Sequence, residues 1–153
     1  MVYYENRFFL TVLNQQFTVK LSTGEMPSGA CTSSVIITIY GERDVSPTIT
    51  FSSKRKAFVA GSIEVYPAIR LPSDIGPIYK IRVEITNTGT NPDWLCEKIE
   101  FENEATGEII QFPCRRWLSS NHGDRSIIRE IPALSESRAP VARRSFSNQP
   151  ASI

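Results

Sequence analysis

The run Tyr79-Lys80-Ile81-Arg82-Val83-Glu84-Ile85 alternates apolar and charged side chains without a break. Only an extended chain puts every second residue on one face, so this stretch reads as a strand with one face buried and one face wet. Its apolar face is Tyr79, Ile81, Val83 and Ile85. A polar turn follows from Thr86 to Asp93, with Asn87, Gly89, Asn91 and Pro92 as strand breakers. The next run sets Ile99 and Phe101 against Lys98, Glu100 and Glu102. After the turn Asn103-Glu104-Ala105-Thr106-Gly107 comes a third run, Glu108 to Phe112. Three one-sided strands at this spacing predict an antiparallel meander, and its apolar face needs a second layer to cover it. The expected fold class is therefore all-β, an antiparallel β-sandwich of two sheets.

Other runs can supply that layer. Phe17 to Thr23 alternates Phe17, Val19 and Leu21 against Thr18, Lys20 and Ser22. Ser34 to Tyr40 is β-branched and aromatic and reads as a central strand. Pro47 to Phe51, Ser62 to Ile69 and Ser126 to Ile131 read as lesser strands, the second demoted to an edge by Pro67. A short helical turn fits after Cys114. The 153 residues suit one domain with a tail. We divide them into an N-terminal extension (1–15), a sandwich domain (16–132) and a disordered tail (133–153) rich in Ser, Pro, Ala and Arg. Within the extension, Phe8 to Leu13 is apolar but far shorter than the roughly 20 residues that span a bilayer. It reads as an extra strand or edge strip, or more sharply as a membrane-skimming segment, and nothing around it resembles a signal peptide.

Chemistry is sparse. The single histidine, His122, sits between Asn121 and Gly123 and reads as a surface loop residue. No nucleophile elbow, phosphate-cradling glycine loop or HExxH motif is present. The glutamates 97, 100, 102 and 104 read as the wet side of a strand and its turn. The expectation is thus a protein that is not an enzyme, with no catalytic residues and no cofactor. Cys31, Cys96 and Cys114 are odd in number and lack metal-ligand spacing, which predicts reduced thiols in a cytoplasmic protein. A net charge of +1 gives no global pull toward nucleic acid, so an electrostatic partner has to be met by a local patch.

Asn87, Gly89, Pro92 and Trp94, followed by Phe112, Cys114, Trp117 and Leu118, resemble the signature of the PLAT domain, also called the lipoxygenase homology domain. Phe17 to Lys20 resembles that family's opening strand, and Val35 to Gly41 its early strand ending in Tyr-Gly. The likeness covers about Gln16 to Pro132 and is weak from Ser46 to Pro77. It implies a β-sandwich that serves as a non-catalytic module for protein–protein or membrane-lipid association. The alternative it implies is a regulatory or membrane-targeting domain of a lipid-metabolising enzyme of lipoxygenase or lipase type. Calcium-binding members hold the ion with acidic loop residues; the matching positions here are Thr32 and Thr86. Both ligands are missing, and calcium wants about six to eight oxygens, several of them carboxylate. No metal site is expected, although Glu25 and Asp93 could rescue a weak one.

The candidate contact residues follow from this. Trp94, beside the 90–93 loop, is the aromatic that could dip into a membrane interface, with core packing as the plainer role. Trp117 is expected in the core or at its rim, with a cost of about 3–5 kcal/mol for truncation to alanine. Two basic clusters, Lys54-Arg55-Lys56 with Phe58 close behind and Arg115-Arg116, suit an acidic protein partner or an anionic membrane surface. Each such cation contributes roughly 1 kcal/mol near an anionic bilayer. The resulting expectation is a cytoplasmic protein with peripheral membrane association. In the tail, Arg143-Arg144-Ser145-Phe146-Ser147 has the spacing that basophilic kinases favour and resembles a phosphoserine-docking motif at Ser147, with Pro150 one position late.

Overall fold

The structure, a computed structural model, describes residues 15–26, 29–52 and 57–135. Eight strands form: β1 (Gln16–Thr23), β2 (Val35–Gly41), β3 (Ile49–Phe51), β4 (Ile63–Arg70), β5 (Ile78–Ile85), β6 (Trp94–Asn103), β7 (Ile109–Leu118) and β8 (Ile128–Pro132). They make two antiparallel sheets of four, in the orders β4-β1-β6-β7 and β3-β2-β5-β8. Among the described residues there is no α-helix. The all-β two-sheet sandwich expected from the alternation is what the chain forms.

The connectivity differs from the expected meander. Strand β5 pairs with β2 and β8, whereas β6 pairs with β1 and β7. Of the three strands β5 to β7 only β6 and β7 form a hairpin, and the 86–93 segment is a crossover from one sheet to the other. Its length decides this. A tight hairpin needs two to five residues, whereas these eight, with Asn87 and Gly89 at positive φ, can cross the roughly 10 Å between sheets.

The core lies between the sheets and alternates as the sequence implies. Val35, Ile37 and Ile39 from β2 and Ile81, Val83 and Ile85 from β5 face Val19, Leu21, Ile99, Phe101 and Phe112 from the other sheet. Phe101 meets Phe17 at 5.9 Å and Phe112 at 5.6 Å, both edge to face. Such rings bury large areas in the geometry their quadrupoles favour.

Local shifts in the ladders explain where single residues depart from the pattern. At the start of β5 the register shifts between Tyr40 and Gly41, so Ile78 faces in and Tyr79 is 41% exposed, not part of the apolar face. Gly41 is compelled there, since a Cβ would lie 2.1 Å from the Ile75 carbonyl oxygen. Pro67 sits on the edge strand β4 at another shift, with Ala68 at φ 61°; the strand bends but continues to Arg70. Strand β7 runs on through Arg115, at φ 54°, to Leu118, and this bulge stands where a helical turn was expected.

Candidate functional site

Four loops gather where β1, β6 and β7 meet the ends of β2, β5 and β8. Their described parts are residues 24–26, 29–34, 52, 57–62, 86–93 and 119–127. Here Trp94 takes the plainer of its two expected roles, in the core, and Trp117 lies at the core's rim. Trp94 is 0% exposed and packs on Phe58 with ring centres 5.6 Å apart. Its indole N–H donates to the buried Thr23 hydroxyl at 2.9 Å. Phe58 is also 0% exposed, so neither ring is offered to a partner, and their sequence-based reading as surface contacts is corrected. The reason is geometric: Trp94 is the first residue of β6 and points inward with Cys96, not outward from the preceding loop.

Trp117 is instead only partly buried. It stacks on the His122 ring at 4.4 Å and 23°. His122 Nε2 lies 3.6 Å from Asp93 Oδ2, and Asn121 donates to the same oxygen at 3.4 Å. Arg129 fixes this loop from beneath. Its guanidinium donates to the Trp117 carbonyl at 2.7 and 3.0 Å and to both Asp124 oxygens at 2.6 and 3.0 Å. The bidentate grip of Arg129, aided by the Ser126 N–H, holds the Asp124 carboxyl down at about 2. The sequence reading missed Arg129; a lone arginine on an edge strand carries no signal until its partners are known.

The Arg115-Arg116 cluster lies at the same end. Arg115 is 79% exposed at its side chain and pairs loosely with Glu97 at 3.3 Å, while Arg116 on β7 and Arg125 in the 119–127 loop are exposed. Lys54, Arg55 and Lys56, like the N-terminal segment and the Ser147 motif, lie outside the described residues.

The two threonines that stand at the acidic positions are tied into a hydroxyl network. Thr32 donates to the Thr88 carbonyl at 2.7 Å and accepts the Asn91 N–H at 3.0 Å. Thr86 accepts the Ser34 N–H at 3.0 Å and shares a 2.9 Å hydrogen bond with Thr88. The Ser33 hydroxyl donates to the Pro92 carbonyl at 2.7 Å, and the Asn91 amide donates to the carbonyls of Gly29 and Ala30. Gly89, at φ 85°, permits this closeness: a Cβ there would sit 2.5 Å from the Thr32 hydroxyl. Among the described residues no three His, Cys, Asp or Glu side chains converge as a metal would require. At the opposite end of the sandwich, a cleft of about 500 Å³ opens between Phe17, Ile78 and Ile110, with Arg43, Asp74 and Glu108 also lining it.

Residues 17–129 match the family model for the PLAT/LH2 domain. The chain is a PLAT/LH2 domain. This domain is 35% identical over 118 residues to human lipoxygenase homology domain-containing protein 1, covering 75% of this chain and 6% of that protein. It is 26% identical to human polycystin-1-like protein 1 across 79% of this chain and 4% of that one. Human polyunsaturated fatty acid lipoxygenase ALOX15B is 31% identical over 67% of this chain and 16% of its own. Among solved structures, coral 8R-lipoxygenase superimposes with a TM-score of 0.63 at 21% identity, over 77% of this chain and 17% of the other. This PLAT/LH2 domain thus spans a small fraction of each relative's length, and the structural likeness is one of fold.

Proposed function

We propose that this PLAT/LH2 domain is a non-catalytic docking module that reads an acidic partner without calcium. The observation that supports it is this end of the sandwich, where Arg115, Arg116 and Arg125 are exposed on the strand and loop that also carry the Trp117–His122 stack. Arginine forks favour carboxylates and phosphates, and a stacked indole adds amphipathic area beside them. An acidic protein surface is the first partner and an anionic bilayer the second. The threonine network supports the calcium-independent part of this reading. A calcium site needs converging acceptor oxygens, whereas here the Ser34 and Asn91 N–H groups point at the Thr86 and Thr32 hydroxyls and stitch the loops directly. At the two threonine positions the neighbouring groups are donors, which suit the hydroxyls and not a cation. Coral 8R-lipoxygenase, described as activated by calcium through a C2-like domain, would differ from this chain in that respect. The lipoxygenase relative favours the second reading, a regulatory or membrane-targeting domain of a lipid-metabolising enzyme.

The test pairs co-sedimentation on phosphatidylserine-containing and neutral vesicles with affinity capture and mass spectrometry, each for wild type and Arg115→Glu/Arg116→Glu. Wild type should bind acidic partners or vesicles equally with millimolar calcium or chelator, and the variant should lose most of that binding. Unchanged binding by the variant would remove this surface from the mechanism, and a calcium-dependent gain would overturn the reading of the loops.

A further inference from the structure

Cys96 and Cys114 lie on neighbouring strands at the bulge in the β6–β7 ladder. Cys96 pairs with Arg116 and Lys98 with Pro113, so Cys114 and Arg115 together face Glu97 alone. In a regular ladder a residue two places from the direct partner is a diagonal neighbour about 7–8 Å away. The bulge bends β7 and re-aims its side chains. Both sulfurs end on the core side: Cys96 is fully buried, and the partly buried Cys114 packs against the same cluster. Each thiol also shifts the ionisation of the other, as side chains that approach closely do. Thiols that face one core from adjacent strands, at a bulge that draws a diagonal pair together, are placed to reach disulfide geometry by a local movement of β7.

The pair is chemically unequal. The hydrogen bond from Cys96 holds the Cys114 thiol below its ordinary value, against the opposing effect of burial; the Arg116 backbone and the charges of Arg129 and Arg116 add to the lowering. Burial pushes Cys96 well above the ordinary thiol value. The partly exposed sulfur is therefore the one that can act as thiolate, and the buried one stands behind it. The third thiol, Cys31, is buried near the 86–93 crossover and hydrogen-bonded to the Pro92 carbonyl at 3.5 Å.

We propose that Cys96 and Cys114 are a peroxide-sensitive dithiol, with Cys114 as the attacking sulfur and Cys96 as the resolving one. The Cys114 thiolate attacks one oxygen of hydrogen peroxide; the O–O bond breaks, and the departing hydroxide takes a proton to become water. Cys114 is then a sulfenic acid. The Cys96 sulfur displaces that hydroxyl, gives up its proton, and a second water leaves as the S–S bond forms. Two thiols are oxidised to one disulfide, and one peroxide is reduced to two waters. The product staples β6 to β7 at the bulge that carries Arg115 and Arg116. This inference is independent of what those arginines bind.

Treating the reduced full chain with a small excess of hydrogen peroxide tests it. Intact mass should fall by about 2 Da, as expected for thiols coupling to a disulfide. A non-reduced digest should contain a peptide joining Cys96 to Cys114, and dithiothreitol should reverse both. Cys31→Ser should behave the same way. Cys96→Ser should instead accumulate a dimedone-reactive sulfenic acid on Cys114. The wild-type digest decides the matter even where a core variant folds poorly. Oxygen added to Cys114 with no joined peptide, or a crosslink that requires Cys31, would overturn the proposal.

Discussion

Replacing Trp94 by alanine should destabilise the domain by about 3–5 kcal/mol, the range for truncating a buried aromatic. Two features put it at the upper end. The indole is fully enclosed against Phe58, so the vacated volume is lined by rigid core. Its N–H also satisfies the buried Thr23 hydroxyl, which loses that partner. Trp94→Phe isolates the second feature, keeping a ring but not the donor, and should cost about 1–3 kcal/mol, as a broken buried hydrogen bond does. Trp117→Ala should cost only about 1–2 kcal/mol, because it gives up a stack worth about 0.5–1.5 kcal/mol and partial burial. That replaces the larger figure the sequence suggested. The chain has only 2 tryptophans, so each variant keeps one fluorescent reporter for equilibrium urea unfolding. Trp117 alone should emit to the red of Trp94 alone. A Trp117→Ala cost equal to that of Trp94→Ala, or a Trp94→Ala cost under about 1 kcal/mol, would refute this placement of the rings.

Further outcomes are expected elsewhere. Gly41→Ala drives a Cβ against the Ile75 carbonyl and should cost at least the roughly 1–3 kcal/mol typical of overpacking, read from the urea midpoint. Asp124 is held at about 2 by Arg129, below its ordinary 3.8, so its contribution is fully present above about pH 4 and is lost as pH falls toward 2. The melting-temperature gap between wild type and Asp124→Asn should therefore close over that window; a constant gap would show that the ionised carboxylate is not what stabilises the loop. Thr32→Ala removes a donor to Thr88 and an acceptor for Asn91, and hydrogen exchange should quicken at the Asn91 amide while β2 stays protected.

Periodicity made most strands legible, because an alternating run facing a core has one workable register. It could not say which sheet a strand joins. The sequence from Tyr79 to Phe112 reads as one meander, yet the crossover at 86–93 sends β5 and β6 to different sheets. Nor does period two survive a bulge. The shift at Tyr40/Gly41 turned Tyr79 outward, and the one at Cys96/Lys98 separates the buried Trp94 end of β6 from the rim position of Trp117 on β7. The loop threonines were visible as neutral residues at acidic positions, but their hydrogen bonds to Thr88, Ser34 and Asn91 depend on two loops more than 50 residues apart in the chain, as the separation of Thr32 from Thr88 illustrates. Arg115 was found as a charge; its left-handed backbone left no trace in the sequence.

The strand order has a consequence for how such a unit is carried. Chain arrives at Gln16 beside the 103–108 turn, where Gln16 accepts the Glu104 N–H. It departs past Pro132, where the Ala133 and Leu134 N–H groups bond to the carbonyls of Tyr79 and Gln111. Both points are at the end of the sandwich away from Arg116 and Trp117. The described sandwich therefore begins and ends at its base, as a cup sits on its stem, with the rim at the far end. Attachment at the base is the arrangement in which weak grips at several rims on one chain can add through effective concentration.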